Sequence, residues 1–73
     1  MYAKNIWFDD TFIHIETVEG KTGKMPLEWF PKLLHASPTL QQNFELWAGG
    51  SWIHWEQIGE DLSAEGFFKF NKK

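Results

Sequence analysis

The stretch AKNIWFDDTFIHIETVEGKTGKMP, residues 3–26, decides how the chain begins to fold, because apolar and polar residues alternate at the two-residue period of half-buried strands. Ile6 and Phe8 fall on one face of a first strand and Asn5 and Trp7 on the other. Asp9 and Asp10 make a polar turn, after which Ile13, Ile15 and Thr17 face one way and Phe12, His14 and Glu16 the other. Gly20 centres a second turn, and a short third strand runs to Pro26, which has no N–H to continue the ladder. These residues predict a three-stranded antiparallel meander.

From Leu27 the period changes. In LEWFPKLLHA, residues 27–36, Phe30, Leu33 and Leu34 recur at the spacing of one helical stripe, with Trp29 beside them. A helix beginning at Leu27 or Glu28 keeps Pro31 in its first turn, where a missing backbone donor costs nothing. A second short helix starts at Ser37, a good N-cap, with Pro38 at its first position and Asn43 at its end. Alternation returns in FELWA, with Phe44, Leu46 and Ala48 on one side and Glu45 and Trp47 on the other. GGS then supplies a turn and WIHW, residues 52–55, the returning strand. Asp61 or Ser63 caps a closing helical turn through AEGFFKF, where Phe67, Phe68 and Phe70 close the core and leave a ring exposed. The expectation is an α+β fold: a small single domain whose antiparallel sheet, a three-stranded meander plus a C-terminal hairpin, packs with two or three short helices.

A chain of 73 residues buries only roughly 60% of the surface its unfolded form exposes, so a large pocket competes with the core for apolar residues. There is no cysteine to add a disulfide or a thiolate metal site, and five Trp and seven Phe must supply much of the burial. Net charge is −3, and the one basic cluster is Lys69, Lys72 and Lys73, which leaves no electrostatic footprint for duplex nucleic acid or an anionic membrane. No apolar run has the length of a signal peptide or a membrane span, so the expected compartment is the cytoplasm.

The chemistry-bearing stretch is WIHWEQIGEDLS, residues 52–63, where a histidine lies between two tryptophans ahead of three carboxylates. As a strand it puts Trp52, His54 and Glu56 on one face and Ile53, Trp55 and Gln57 on the other. His54 could act as a base oriented by Asp61 or Glu56, or it could be a strand residue with a structural hydrogen bond. No serine or cysteine stands out as a nucleophile, Ser51 being too close to the glycine turn. His14, His35 and His54 match no local metal-ligand spacing, and no pattern implies a cofactor.

The motifs MPLEWFPKLLHASP from Met25, NFEL from Asn43, IHW from Ile53 and EDLSAEGFF from Glu60 together resemble the bacterial family designated domain of unknown function 2442. Matching positions include Pro26, Leu27, Trp29, Phe30, Pro31, Leu33, Ile53, His54, Trp55, Glu60, Asp61, Leu62, Ser63, Glu65 and Gly66. Lys32 stands where the family usually has arginine, Glu56 where proline usually follows the Trp, and Gly59 interrupts the acidic segment. The resemblance implies a small α+β fold and a pairing with another small protein, of toxin-antitoxin or regulatory type, and it carries no catalytic role to any position.

Three functions follow as expectations. The first is a non-enzymatic, antitoxin-like module that binds a small protein partner through Trp7, Trp47, Trp52 and His54, with self-association through exposed rings as a further possibility. The second is a small acid-base enzyme using His54 with Asp61 or Glu56. The third is a single-strand nucleic-acid binder that stacks bases on exposed Trp, although Glu45 and Glu56 flank those rings.

Overall fold

Residues 3–26 fold into the meander that their alternation predicts: β1 (Ala3–Phe8), β2 (Phe12–Thr17) and β3 (Thr22–Pro26), antiparallel and in that order. The structure is a computed structural model that describes residues 1–69, so Phe70, Lys72 and Lys73 lie outside the described residues. In β2 the burial alternates without fault, Ile13, Ile15 and Thr17 inward against Phe12, His14 and Glu16 outward. In β1 it does not, because Ala3 and Ile6, three residues apart, are both buried. The pairing passes from Ala3 with Thr17 to Asn5 with Glu16, so Lys4 is a bulge residue that returns Ala3 to the inner face.

The helical stretch after β3 is broken where one helix is expected. Leu27–Trp29 forms a 3-10 turn, Phe30 is non-helical, and α1 (Pro31–Leu34) begins at the proline itself. Proline disfavours the α conformation in the residue before it, so the break falls at Phe30. A single turn cannot carry a full stripe: Leu33 is buried, Phe30 packs at the edge of the core, and Leu34 is 39% exposed. The next helix, α2 (Pro38–Gln42), forms as expected, with the Ser37 hydroxyl accepting the Leu40 N–H at 3.2 Å and Asn43 closing it.

The expected C-terminal hairpin is two strands of a second three-stranded antiparallel sheet, β4 (Glu45–Trp47), β5 (Trp52–Trp55) and β6 (Glu60–Ser63). EDLS has one apolar residue and no alternating run, which is why its strand character is hidden in the sequence. Asp61 therefore lies in β6 and caps nothing, whereas Ser63 does cap, its hydroxyl accepting the Gly66 N–H at 3.0 Å ahead of α3 (Gly66–Lys69).

The two sheets share one core. Trp55 on the inner face of β5 is fully buried and meets the Phe8 ring of β1 edge-on at 6.4 Å and the Phe44 ring at 6.0 Å. Its indole N–H donates to the Gln41 carbonyl at 2.8 Å, and the Gln41 side-chain amide donates to the Leu33 carbonyl at 2.9 Å, tying both short helices to the second sheet. From the C-terminal end, Phe67 is fully buried and Phe68 lies over Gly23 of β3, where a Cβ would come within 3.1 Å of its ring. Gly50, in the turn between β4 and β5, packs on the β1 backbone: its φ is +107°, and a Cβ there would sit 2.7 Å from the Ala3 carbonyl oxygen. Among the described residues, no helix is long and apolar enough to cross a membrane.

Two substitutions test this arrangement by urea unfolding. Gly50→Ala is expected to cost about 3 kcal/mol or more, because backbone strain and a backbone clash add, against about 1 kcal/mol for Gly20→Ala, which is strained but has open space around it. Trp55→Phe is expected to cost about 2 kcal/mol, since it keeps a ring but leaves the Gln41 carbonyl unpaired.

Candidate functional site

Because side chains alternate along a strand, burying Ile53 and Trp55 turns Trp52 and His54 to the outer face of the second sheet. The register sets their neighbours: Trp47 lies opposite Trp52, Glu45 opposite His54, and His54 opposite Asp61. His54 Nδ1 is hydrogen-bonded to the Asp61 carboxylate. The Trp47 ring stacks on the imidazole with centroids 4.0 Å apart and planes inclined by 24°, and its indole N–H donates to Glu45 Oε1 at 3.0 Å. Trp47 and Trp52 remain 48% and 49% exposed, and with Asp61 they line a shallow groove of about 300 Å³.

Of the residues singled out in the sequence, the fold brings together Trp47, Trp52, His54 and Asp61. It does not bring Glu56 to them: β5 ends at Trp55, so the expected shared face of Trp52, His54 and Glu56 stops one residue short. Glu56 instead lines a separate groove with Asn43, Glu45 and Gln57. Trp7 belongs to the first sheet, where it stacks on His14 at 5.2 Å with ring planes only 3° apart.

That second stack was not visible as a site in the sequence, yet it repeats the pattern of the first. His14 Nε2 is 2.6 Å from Asp9 Oδ2, so each sheet carries a tryptophan from its first strand lying on a histidine from its second, with a carboxylate holding the imidazole. The signal was present as parity, since Trp7 and His14 both fall on the outward face of their strands. Asp9 does more than hold His14: its Oδ1 also accepts the Thr11 and Phe12 N–H groups, both at 2.7 Å, and so closes the β1–β2 turn. These bonds, that from His14 foremost, lower the Asp9 carboxyl from the usual 3.8 to about 2.

The geometry limits the chemistry. His14, His35 and His54 sit on β2, at the end of α1 and on β5, and among the described residues no three His, Cys, Asp or Glu side chains gather as a metal site would need. With Nδ1 of His54 held by Asp61, proton exchange is left to Nε2. Neither nearby serine is coupled to that ring: the Ser51 hydroxyl donates to the Ala48 carbonyl at 3.1 Å and the Ser63 hydroxyl caps α3.

The family model described as Protein of unknown function (DUF2442) matches residues 3–73, and the chain belongs to that family. No curated protein and no solved structure matches it.

The Asp9 network gives a pH signature. A carboxyl lowered in the folded state contributes stability that is present above its unfolded value, near 3.8, and is lost as pH falls through about 2. Asp9→Asn keeps an oxygen for the turn but removes the charge. Unfolding curves are expected to show wild type more stable than Asp9→Asn near pH 6, with most of the difference gone at about pH 2. A carboxyl NMR titration of Asp9 with its midpoint near 4 instead of about 2 would contradict the assignment.

Proposed function

We propose that this DUF2442 protein is a non-enzymatic interaction module, the regulatory and antitoxin-like member of a pair, which binds a small protein partner through the outer face of its second sheet. The observation that carries the docking role is the pair Trp47 and Trp52, opposite one another in the register and each about half exposed. Tryptophan is the residue type most enriched in interface hot spots, and a ring already held in place loses little freedom on binding. Trp47 is held on one side by the His54 ring and at its N–H by Glu45. On this reading His54 and Asp61 are positioning residues: Asp61 fixes the imidazole, and the imidazole fixes Trp47. The antitoxin-like role rests on the family resemblance alone. Trp7, on the other sheet, stands outside this docking face.

The bond from His54 to Asp61 favours a second reading, the acid-base enzyme, because a carboxylate on Nδ1 orients an imidazole for proton transfer at Nε2. Against it stand the Trp47 ring covering one imidazole face, the shallow groove, and the engagement of Ser51 and Ser63 away from the ring. Base stacking fits less well, because Glu45 and Asp61 would repel a phosphate backbone beside the exposed rings.

Affinity capture of the tagged full chain from its native host is expected to recover one small protein in stoichiometric amount. Trp47→Ala and Trp52→Ala are each expected to weaken the purified complex by about 30-fold, as hot-spot residues do. A chain that stays a monomer and recovers no stoichiometric partner would overturn the docking role, and so would tryptophan variants that fold normally and bind as wild type does.

A further inference from the structure

We propose that the partner docks by strand addition: an extended, basic segment pairs along the free edge of β4 and becomes the fourth strand of the second sheet. This deepens the interaction reading and rests on it.

The edge itself is the first observation. Of the strands that end the two sheets, β1, β3 and β6 each contain buried residues, whereas all three residues of β4 are exposed. Among the described residues, no backbone hydrogen bond outside the β4–β5 ladder reaches Glu45, Leu46 or Trp47. Proteins commonly blunt such an edge with charge or cover it, because its unpaired N–H and C=O groups template another strand. Here the edge is short and carries one charge, Glu45, but its other two residues are apolar and exposed on opposite faces. Leu46 points to the core side and is still 41% exposed, since the core stops short of β4, and Trp47 is exposed on the other side. An incoming strand, whose side chains alternate, would cover Leu46 with one face and Trp47 with the other.

Charge selects the occupant. Residues 43–68 hold five carboxylates, Glu45, Glu56, Glu60, Asp61 and Glu65, and no lysine or arginine. Among the described residues, two cations reach this half from outside it: Lys69 lies 3.6 Å from Glu65, and Lys32 approaches the Gly59 carbonyl at 3.4 Å. Neither of these two pairs with Glu45, Glu56 or Asp61. Glu45 and Glu56 share a groove at one end of the edge, and the groove lined by Trp47 and Trp52 on the outer face is closed by Asp61 of β6. A second copy pairing edge to edge through its own β4 would bring the acidic half of one chain against the acidic half of the other. A segment that alternates apolar residues with lysine or arginine satisfies the backbone edge, sets its apolar side chains over Leu46, and lays its cations with their aliphatic stems over Trp47 and beside Glu45 on the outer face.

The test uses the full chain and three synthetic peptides of about seven residues, a usual strand length. One alternates valine with lysine, one alternates valine with glutamate, and one is the lysine peptide N-methylated along both edges so that neither can pair. At low salt the lysine peptide is expected to shift the backbone amide signals of Glu45–Trp47 and to bind at least about tenfold more tightly than either other peptide. Added salt should weaken it, and Glu45→Lys should remove its advantage over the glutamate peptide. Equal binding of all three peptides, signal shifts away from β4, or no binding at millimolar peptide would overturn strand addition. Concentration-dependent shifts at β4 in the chain alone would name a second copy as the occupant and overturn it equally. If the peptides fail while Trp47→Ala still abolishes capture of the native partner, the docking face stands and only strand addition falls. If no native partner is captured at all, the interaction reading falls first.

Discussion

The buried indole of Trp55 is the constraint on which the rest of the molecule depends. A chain this short has few residues large enough to span the space between two sheets, and Trp55 fills it from β5 while touching Phe8 of β1 and Phe44. An unpaired indole N–H in that interior would cost roughly 1–3 kcal/mol, so α2 has to place the Gln41 carbonyl above it. Gln41 in turn secures the end of α1 through the Leu33 carbonyl. One side chain thereby fixes the second sheet, both short helices and the contact with the first sheet. It also sets the outer face: once Trp55 and Ile53 are turned inward, strand geometry leaves Trp52 and His54 no choice but the outside.

That outer face holds anchored aromatics. The His54 imidazole lies between a carboxylate at Nδ1 and the Trp47 ring on its face, which suits a support more than a proton carrier. The first sheet carries the same arrangement in Trp7, His14 and Asp9, where the carboxylate has a plain structural duty in closing the β1–β2 turn. A motif used twice on two sheets, once demonstrably to hold a turn, argues that its chemistry is positional. Sheet edges and charge then distinguish the two faces, because only the second has an edge strand with no buried residue and a flank without a cation in its own sequence.

Much of this was legible in the residues, for reasons that can be named. Alternation was strong enough in residues 12–17 to assign every side chain to the correct face, and Ser37 with Pro38 marked α2 correctly, since a cap and a first-turn proline are local signals. The places where the reading failed are those where a local signal was absent or a neighbour overrode it. Lys4 gives no sign of a bulge, Pro31 splits a helix that periodicity alone would continue, and β6 has too few apolar residues to announce a strand. The last of these mattered most for the site. Without β6 the partner of His54 stayed open between Asp61 and Glu56, and only the register of β5 with β6 decides it. The inward direction of Trp55 and the outward direction of Trp52 were both readable from parity, but the stacking of Trp47 on His54 is a diagonal contact across two strands that parity does not show.

Docking through the outer face of the second sheet is tested most directly in the native host with an aromatic photo-crosslinking amino acid, which keeps a ring in place of the indole, at position 52 or, as the comparison, at position 7. Both positions are exposed tryptophans, one on each sheet. A docking face on the second sheet requires a single adduct with one small protein from position 52 and none from position 7. No adduct from position 52, or the same adduct from both positions, would contradict it.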